Sequence, residues 1–526
     1  MILYLFMLSL NDLLSLWGFR DHPFEAYTAE KEMRLADYFV SPPYLNDVIG
    51  SARGAAPAVV FGDRGIGKSA IRIYVESLCM TGDPKNELGG RVVAISYDDF
   101  SALFREGSKE VAIEDHLIQI LQKMTSAALI RIADELAGQS PSIAIIERIF
   151  PALDHKTLSR LVAAYFSQLS ELQKEVAAKS VYDFLQKKGV PLAERASWFQ
   201  KLWAKLRGPL VDIANIIQGI RGKTAIALMS GGDFLVSPDG RRKSALDDFY
   251  TMAAMAPQLN IDAWYILIDK VDEDEHTDGD ADKAARLVLP LLKNLKVIET
   301  QHVAFKFLLW SRLRPILIEE RTRLDKLRNF ELTWTKQELV AMINLRLSVY
   351  SDRKVADLTS ITDPQAAECI YDRIIDHAGS SPREMVQIID AIMREHARHS
   401  TQENGALITE TSMDRGLDDY VMRRVKDLYN ANVVRQLASL SSSTFTASDI
   451  QSRFRISQQS ASSRINKWID NGLVARVEDA RSTKDPSKIM YRYEVVEPRL
   501  RRIIDRRLMS PSFDGIEDGE AGPELA

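Results

Sequence analysis

Eight residues constrain this chain more than any others: Gly62-Asp-Arg-Gly-Ile-Gly67-Lys68-Ser69. They fit G-x-x-x-x-G-K-[ST] without a mismatch. An apolar run, Ala58-Val-Val-Phe61, precedes them, and a helical pattern, Ala70-Ile-Arg-Ile-Tyr-Val-Glu76, follows. The spacing has a chemical reason. Glycine lets a backbone wrap closely enough for N–H groups to point at phosphate oxygens. The expected cradle is Gly62, Asp63, Arg64, Gly65, Ile66 and Gly67, continuing into Lys68, Ser69 and Ala70. Lys68 reaches the outer phosphates, the Ser69 hydroxyl ligates Mg²⁺, and the helix start adds a positive end. A strand–loop–helix unit of this kind calls for more parallel strands covered on both faces.

The second metal ligand has to come from another strand end. Tyr265-Ile-Leu-Ile268-Asp269 supplies four apolar residues and then an acid, so Asp269 is the expected Mg²⁺ partner, largely through water. A water-orienting acid commonly follows such an aspartate, but Lys270 stands here. Asp272 and Glu273 are the substitutes, and slow or partner-dependent hydrolysis is expected. The rest of the run Asp272–Asp282 reads as a solvated loop. It is no EF-hand, with His276 at the third ligand position and no Glu at the twelfth. Asp269-Lys-Val-Asp272 has Asp where a guanine-reading element has Asn, so ATP is expected rather than GTP.

Composition sets the bounds. The 526 residues are 46% hydrophobic and 27% charged, with a net charge of −5. That excludes a disordered, collagenous or disulfide-stapled chain and allows about three or four domains. Two distant cysteines, Cys79 and Cys369, fit a reducing compartment and read as small core residues. The apolar start Met1–Leu10 is shorter than a bilayer span of about 20 residues and lacks a basic flank. Met7 is an alternative start, and the protein is expected to be cytoplasmic with no membrane partner.

Strands are expected at Ala58–Phe61, Arg91–Ser96, Ala263–Ile268 and Val303–Trp310, alternating with helices. The fold class is therefore α/β, a P-loop parallel sheet. A large helical insertion covers about 102–245, where Leu117, Ile120, Leu121 and Met124 recur at helical spacing. Thr335-Lys-Gln-Glu338 is a capping box. The expected segments are an N-terminal piece 1–50, a core 51–330, a helical lid 331–430, a C-terminal module 431–510 and an acidic, disordered tail 511–526.

The C-terminal module reads as a winged helix-turn-helix. A first helix occupies Thr446–Phe454, Ser457 caps a second over Gln458–Asp470, and a hairpin follows around a wing at Arg481–Lys488. Polar residues at the start of the second helix suit base edges, and basic residues suit phosphates. The candidate double-stranded DNA contacts are Gln458, Gln459, Ser462, Arg464, Lys467, Arg481, Lys484 and Lys488. Residues 431–510 hold 15 Lys and Arg against 8 Asp and Glu, while the tail carries five acids and no base. The arginines Arg499, Arg501, Arg502, Arg506 and Arg507 extend the basic run.

This order of phosphate loop, metal Asp, third strand with a polar end, lid and winged helix resembles AAA+ ATPases of the origin-recognition and initiator type. It also resembles STAND-type P-loop ATPases of bacterial conflict systems, through Gly62-Asp-Arg-Gly, Ile268-Asp-Lys-Val-Asp-Glu273, Leu332-Thr-Trp-Thr335 and Ser381-Pro-Arg-Glu384. The resemblance implies that Ser311 senses the γ-phosphate and that Arg383 is a second sensor. It implies Arg312 or Arg314 as a finger acting on a neighbour if the chain forms a homo-oligomeric ring. The expected function is an ATP-dependent, slowly hydrolysing switch that acts on DNA or on a DNA-bound partner. The rivals are a signalling ATPase whose winged helix docks an effector protein, and a scaffold that binds ATP without turnover.

Overall fold

The computed structural model describes residues 8–80, 87–104, 111–135, 148–166, 244–401, 406–481 and 489–509. Met7, most of the region 136–243, Lys484, Lys488 and the tail 511–526 lie outside the described residues, as does the side chain of Arg481. The chain divides into two compact units. One comprises Ser41–Arg64 and Lys68–Leu332; the other comprises Met1–Val40, Gly65–Gly67 and Thr333–Ala526.

The first unit is built on five parallel strands: β1 (Ala58–Gly62), β2 (Val92–Tyr97), β3 (Ala263–Ile268), β4 (Val303–Trp310) and β5 (Arg328–Glu331), in the order β2-β3-β4-β1-β5. Every residue of β1, β3 and β4 is buried. That explains their unbroken apolar runs, since a parallel strand covered on both faces has no polar side. The fifth strand, β5, escapes sequence reading. It is an edge strand of four residues, Arg-Asn-Phe-Glu, three of them exposed, so it carries no apolar signature.

Alternate residues of the strands, Val59, Phe61, Ile266, Ile268, Phe305 and Phe307, enter one apolar cluster. Helices α2 (Ile113–Glu135), α3 (His155–Phe166), α4 (Ala245–Ala254), α5 (Ala281–Leu292) and α6 (Leu313–Glu319) complete it. The described parts of the 102–245 region are thus largely helical and contribute to the core of the sheet. The opposite face meets α1 (Lys68–Met80), which buries Ile71, Val75 and Cys79. A buried lysine lies on that face. Lys306 donates to Ile49 O at 3.0 Å and Ala56 O at 2.7 Å, with its ammonium 4.8 Å from the Tyr265 ring centre.

The second unit is helical up to residue 438. Thr335 caps α7 (Lys336–Tyr350) with the expected reciprocal box to Glu338. Next come α8 (Ile370–Ala378), α9 (Pro382–His399), α10 (Glu410–Leu428) and α11 (Ala431–Ala438). Gly416 of α10 lets that helix approach α9 closely, because a Cβ there would stand 2.5 Å from Ile392 Cα. Arg346 of α7 is buried in an ion pair with Glu32 and lies over the Phe24, Tyr38 and Tyr350 rings.

The C-terminal module follows. Helices α12 (Ala447–Phe454) and α13 (Gln458–Asp470) precede strands β7 (Val474–Arg481) and β8 (Ile489–Val495). A short strand that the sequence did not reveal, β6 (Thr444–Thr446), pairs antiparallel with β8 to give the order β6-β8-β7. Ala461, Ile465 and Trp468 are buried and Ile469 is half-buried, so the core face of α13 is the expected one. Helix α14 (Pro498–Asp505) ends the described chain.

Candidate functional site

The phosphate loop leaves the buried end of β1 and enters α1. Gly65 and Gly67 hold φ of +78° and +110°, a left-handed region that side chains other than glycine's reach only with strain. Lys68 is almost fully buried, and its ammonium donates to Gly62 O at 2.7 Å and Asp63 O at 3.1 Å. Burial holds its pKa below the usual lysine value, while the carboxylates of Asp272, Asp269, Glu273 and Asp63 act in the opposite direction. The lysine therefore rests on carbonyls of its own loop, a weak arrangement for a buried cation, and phosphate oxygens would replace them as stronger partners.

Asp269 follows the last residue of β3 and is 1% exposed. One carboxylate oxygen accepts the Lys270 N–H at 2.9 Å, and the other accepts Arg72 Nε at 3.1 Å. A carboxylate offers about four lone-pair positions, so two remain for water around a divalent cation. The partly exposed Ser69, as a direct ligand, and Asp269, largely through water, thus fit the residue chemistry of a Mg²⁺ site. Among the described residues no group of three or more His, Cys, Asp or Glu side chains gathers as a metal site.

Sequence reasoning passed over Arg72. It lies one helical turn after Lys68 and is 5% exposed. Its guanidinium also donates to Glu76 Oε1 at 3.0 Å and Ser96 Oγ at 3.0 Å, and stands 3.5 Å from Asp98 Oδ2. Burial acts to lower its pKa, yet Glu76, Asp98 and Asp269 outweigh that and raise it. The available signal was the i, i+4 spacing from Lys68 along α1.

The first member of the acidic run after Asp269 is one of the two expected substitutes for the water-orienting acid, and it is buried. Asp272 is 2% exposed. Arg64 Nε donates to its carboxylate at 2.9 Å, and another Arg64 nitrogen donates to its carbonyl at 3.0 Å. The Arg64 guanidinium also lies 4.9 Å from the Trp310 ring centre. The ion pair withdraws Asp272 from water, because a long arginine reaches it from the loop. Glu273 is exposed, Thr277 is buried, and Asp280 caps α5.

Ser311 follows β4 beside the loop, its N–H donating to Gly62 O at 3.3 Å. Parallel pairing of Gly62 with Trp310 brings it there. Arg312 stacks over Trp310 at 4.9 Å, and Arg314 pairs with Glu331 at 3.3 Å. Within the other unit, the N–H of Arg383 and the hydroxyl of Ser381 each donate to Gly65 O at 3.3 Å, and Trp334 Nε1 donates to Ile66 O at 2.7 Å.

On the C-terminal module, Gln458, Gln459, Ser462 and Lys467 are exposed, whereas Arg464 lies over the Phe454 ring at 4.7 Å. Four of the five trailing arginines pair with acids of the chain. Arg502 donates to Asp414 at 2.8 Å and Asp418 at 2.7 Å, and Arg506 pairs with the same two acids. Arg499 stands 3.4 Å from Glu384, and Arg501 pairs with Glu494 at 2.9 Å.

No protein-family model matches the chain, and no curated protein matches it. Among solved structures it is similar to the Aeropyrum pernix ORC1 protein in complex with DNA, at 12% identity and a TM-score of 0.36, over 92% of this chain and 98% of that one. It is also similar to the Aeropyrum pernix ORC2 protein in ADPNP-ADP complexes, at 12% identity and a TM-score of 0.40, over 91% and 98%. The ADP form of that ORC2 protein gives 11% identity and a TM-score of 0.34, again over 91% and 98%. Likeness at this level leaves the reading of the site to the chain's own residues.

Proposed function

We propose that this protein is an ATP-binding, slowly hydrolysing molecular switch, and that its C-terminal module is a winged helix that engages double-stranded DNA. One observation carries the nucleotide half. The buried Lys68 ammonium is held by two carbonyls of the loop that surrounds it, next to a partly exposed Ser69 and to Asp269 with free lone pairs. Phosphate oxygens would replace the carbonyls, the Ser69 hydroxyl would ligate Mg²⁺, Asp269 would hold it largely through water, and Ser311 would sense the γ-phosphate. Mg²⁺ supplies charge neutralisation on the transferring phosphoryl group. Binding that differs in strength between two conformations shifts their populations, which is what a switch requires.

The DNA half draws support from the exposed Gln458, Gln459, Ser462 and Lys467 at and beyond the start of α13. The commitment of Arg499, Arg501, Arg502 and Arg506 to acids favours a second reading, since it takes positive charge away from any phosphate footprint. In that reading the module docks a protein effector, as in signalling ATPases of the STAND type.

Fluorescence anisotropy of labelled duplex DNA tests the choice, run with and without Mg²⁺·ATP across a salt series. DNA binding predicts log K falling with log salt by about 0.9 per phosphate contacted. A flat signal at low salt removes the DNA half. Binding of a fluorescent ATP analogue that is unaffected by Lys68→Ala removes the nucleotide half.

A further inference from the structure

We infer that Asp98, immediately after β2, is the carboxylate that orients and deprotonates the attacking water; the inference rests on the nucleotide reading above. Strand order carries it. β2 lies beside β3, and their register runs to Tyr97 opposite Ile268, so Asp98 and Asp269 are the next residues at two adjacent strand ends. The Asp269 N–H donates to Tyr97 O at 3.3 Å and holds those ends together. Arg72 then spans both carboxylates, 3.1 Å from Asp269 and 3.5 Å from Asp98. Arg72 is the positioning residue, and Asp98 is the group that meets water.

Asp63 and Glu273, which also act on Lys68, are exposed side chains, and the remaining acids near the loop are less suited. The position after Asp269 is Lys270, held at φ +59°. The Asp272 side chain is 3% exposed, and both its carboxylate and its carbonyl are occupied by Arg64. Asp99 accepts from the N–H and hydroxyl of Ser101. Glu76 lies eight residues beyond Lys68, about 12 Å along the helix axis. Asp98 combines a fixed position with a side chain that keeps 26% exposure, enough to receive a water.

The step balances without another reactant. The water oxygen bonds to the γ-phosphorus as the bond from phosphorus to the β,γ-bridging oxygen breaks. The bridging oxygen keeps the electron pair and departs on ADP. Asp98 takes a proton from the water and returns it to the released phosphate.

The full-length protein tests this with three readouts: Mg²⁺·ATP turnover, affinity for a fluorescent ATP analogue, and Tm. Asp98→Asn is expected to lower kcat by about 10²–10⁴ with affinity and Tm unchanged, the size of a lost general base. Asp98→Glu is expected to recover part of the rate. Turnover by Asp98→Asn at the wild-type rate overturns the inference. So does a loss of turnover that tracks lost affinity or a lowered Tm, or a wild type that binds ATP and never turns it over. Absence of ATP binding in the wild type overturns instead the nucleotide reading beneath it.

Discussion

Arg72 and Asp269 form an ion pair of 3.1 Å in which neither side chain is more than 5% exposed. A charge so placed cannot be removed singly without leaving its partner stranded. Replacing one member of a buried pair costs roughly 3–5 kcal/mol. Arg72→Met should therefore destabilise the protein by about that amount in denaturant titration. Arg72→Lys should recover part of it, since it keeps the charge and loses the fork. An Arg72→Met protein as stable as the wild type would contradict the arrangement.

Lys306 offers a test of pH dependence. Burial lowers its pKa to about 7, with the Arg328 charge acting in the same direction. The unfolded chain binds that proton up to the ordinary lysine range, near 10.4. Between the two values the unfolded state holds more protons, so this residue makes stability rise with pH from about 7 towards 10. The slope is at most about 1.4 kcal/mol per pH unit. Unfolding measured from pH 7 to 9 should show that rise in the wild type and a smaller one in Lys306→Met. Equal slopes in the two proteins would refute it.

Gly416 sits in the middle of α10, where glycine is intrinsically about 1 kcal/mol worse than alanine. Gly416→Ala should nevertheless destabilise, because its Cβ would stand 2.5 Å from Ile392 Cα and 2.8 Å from Ile392 N. Backbone cannot yield as a flexible side chain does, and overpacking of this kind costs about 1–3 kcal/mol. A raised Tm would mean that the two helices are not in such contact.

The basic residues of the C-terminal module should separate by role. Lys467→Ala should lower the salt slope of DNA binding by about one while leaving Tm unchanged. Arg502→Ala should leave that slope unchanged and lower Tm, because its guanidinium is 10% exposed and bound to Asp414 and Asp418. Salt titrations and thermal melts of the two variants make the comparison. The reverse pattern would place the DNA-facing charge on α14.

The legible parts of the fold were those with strong local signals. The strands β1, β3 and β4 are buried on both faces, so their sequences are apolar throughout. The box at Thr335 and Glu338 and the cap at Ser457 are read within four residues. The edge strand β5 and the short strand β6 left no such mark. They are strands only because β1 and β8 provide partners for their backbones.

The chain's own sequence determined the phosphate loop, because the chemistry of wrapping a backbone around phosphate demands glycines, lysine and serine at fixed short spacing. It also determined the helix–helix–hairpin order at the C-terminal end, where capping and periodicity are local. Only the tertiary structure decided which charges are available. Arg64 takes Asp272 out of solvent across 208 residues, and Arg502 meets Asp414 across 88. The pairing of β2 with β3 brings Asp98 beside Asp269 although they stand 171 positions apart. An ion pair depends on distance in space, and formal charge along a chain carries no information about which opposite charge folding will bring within 3 Å.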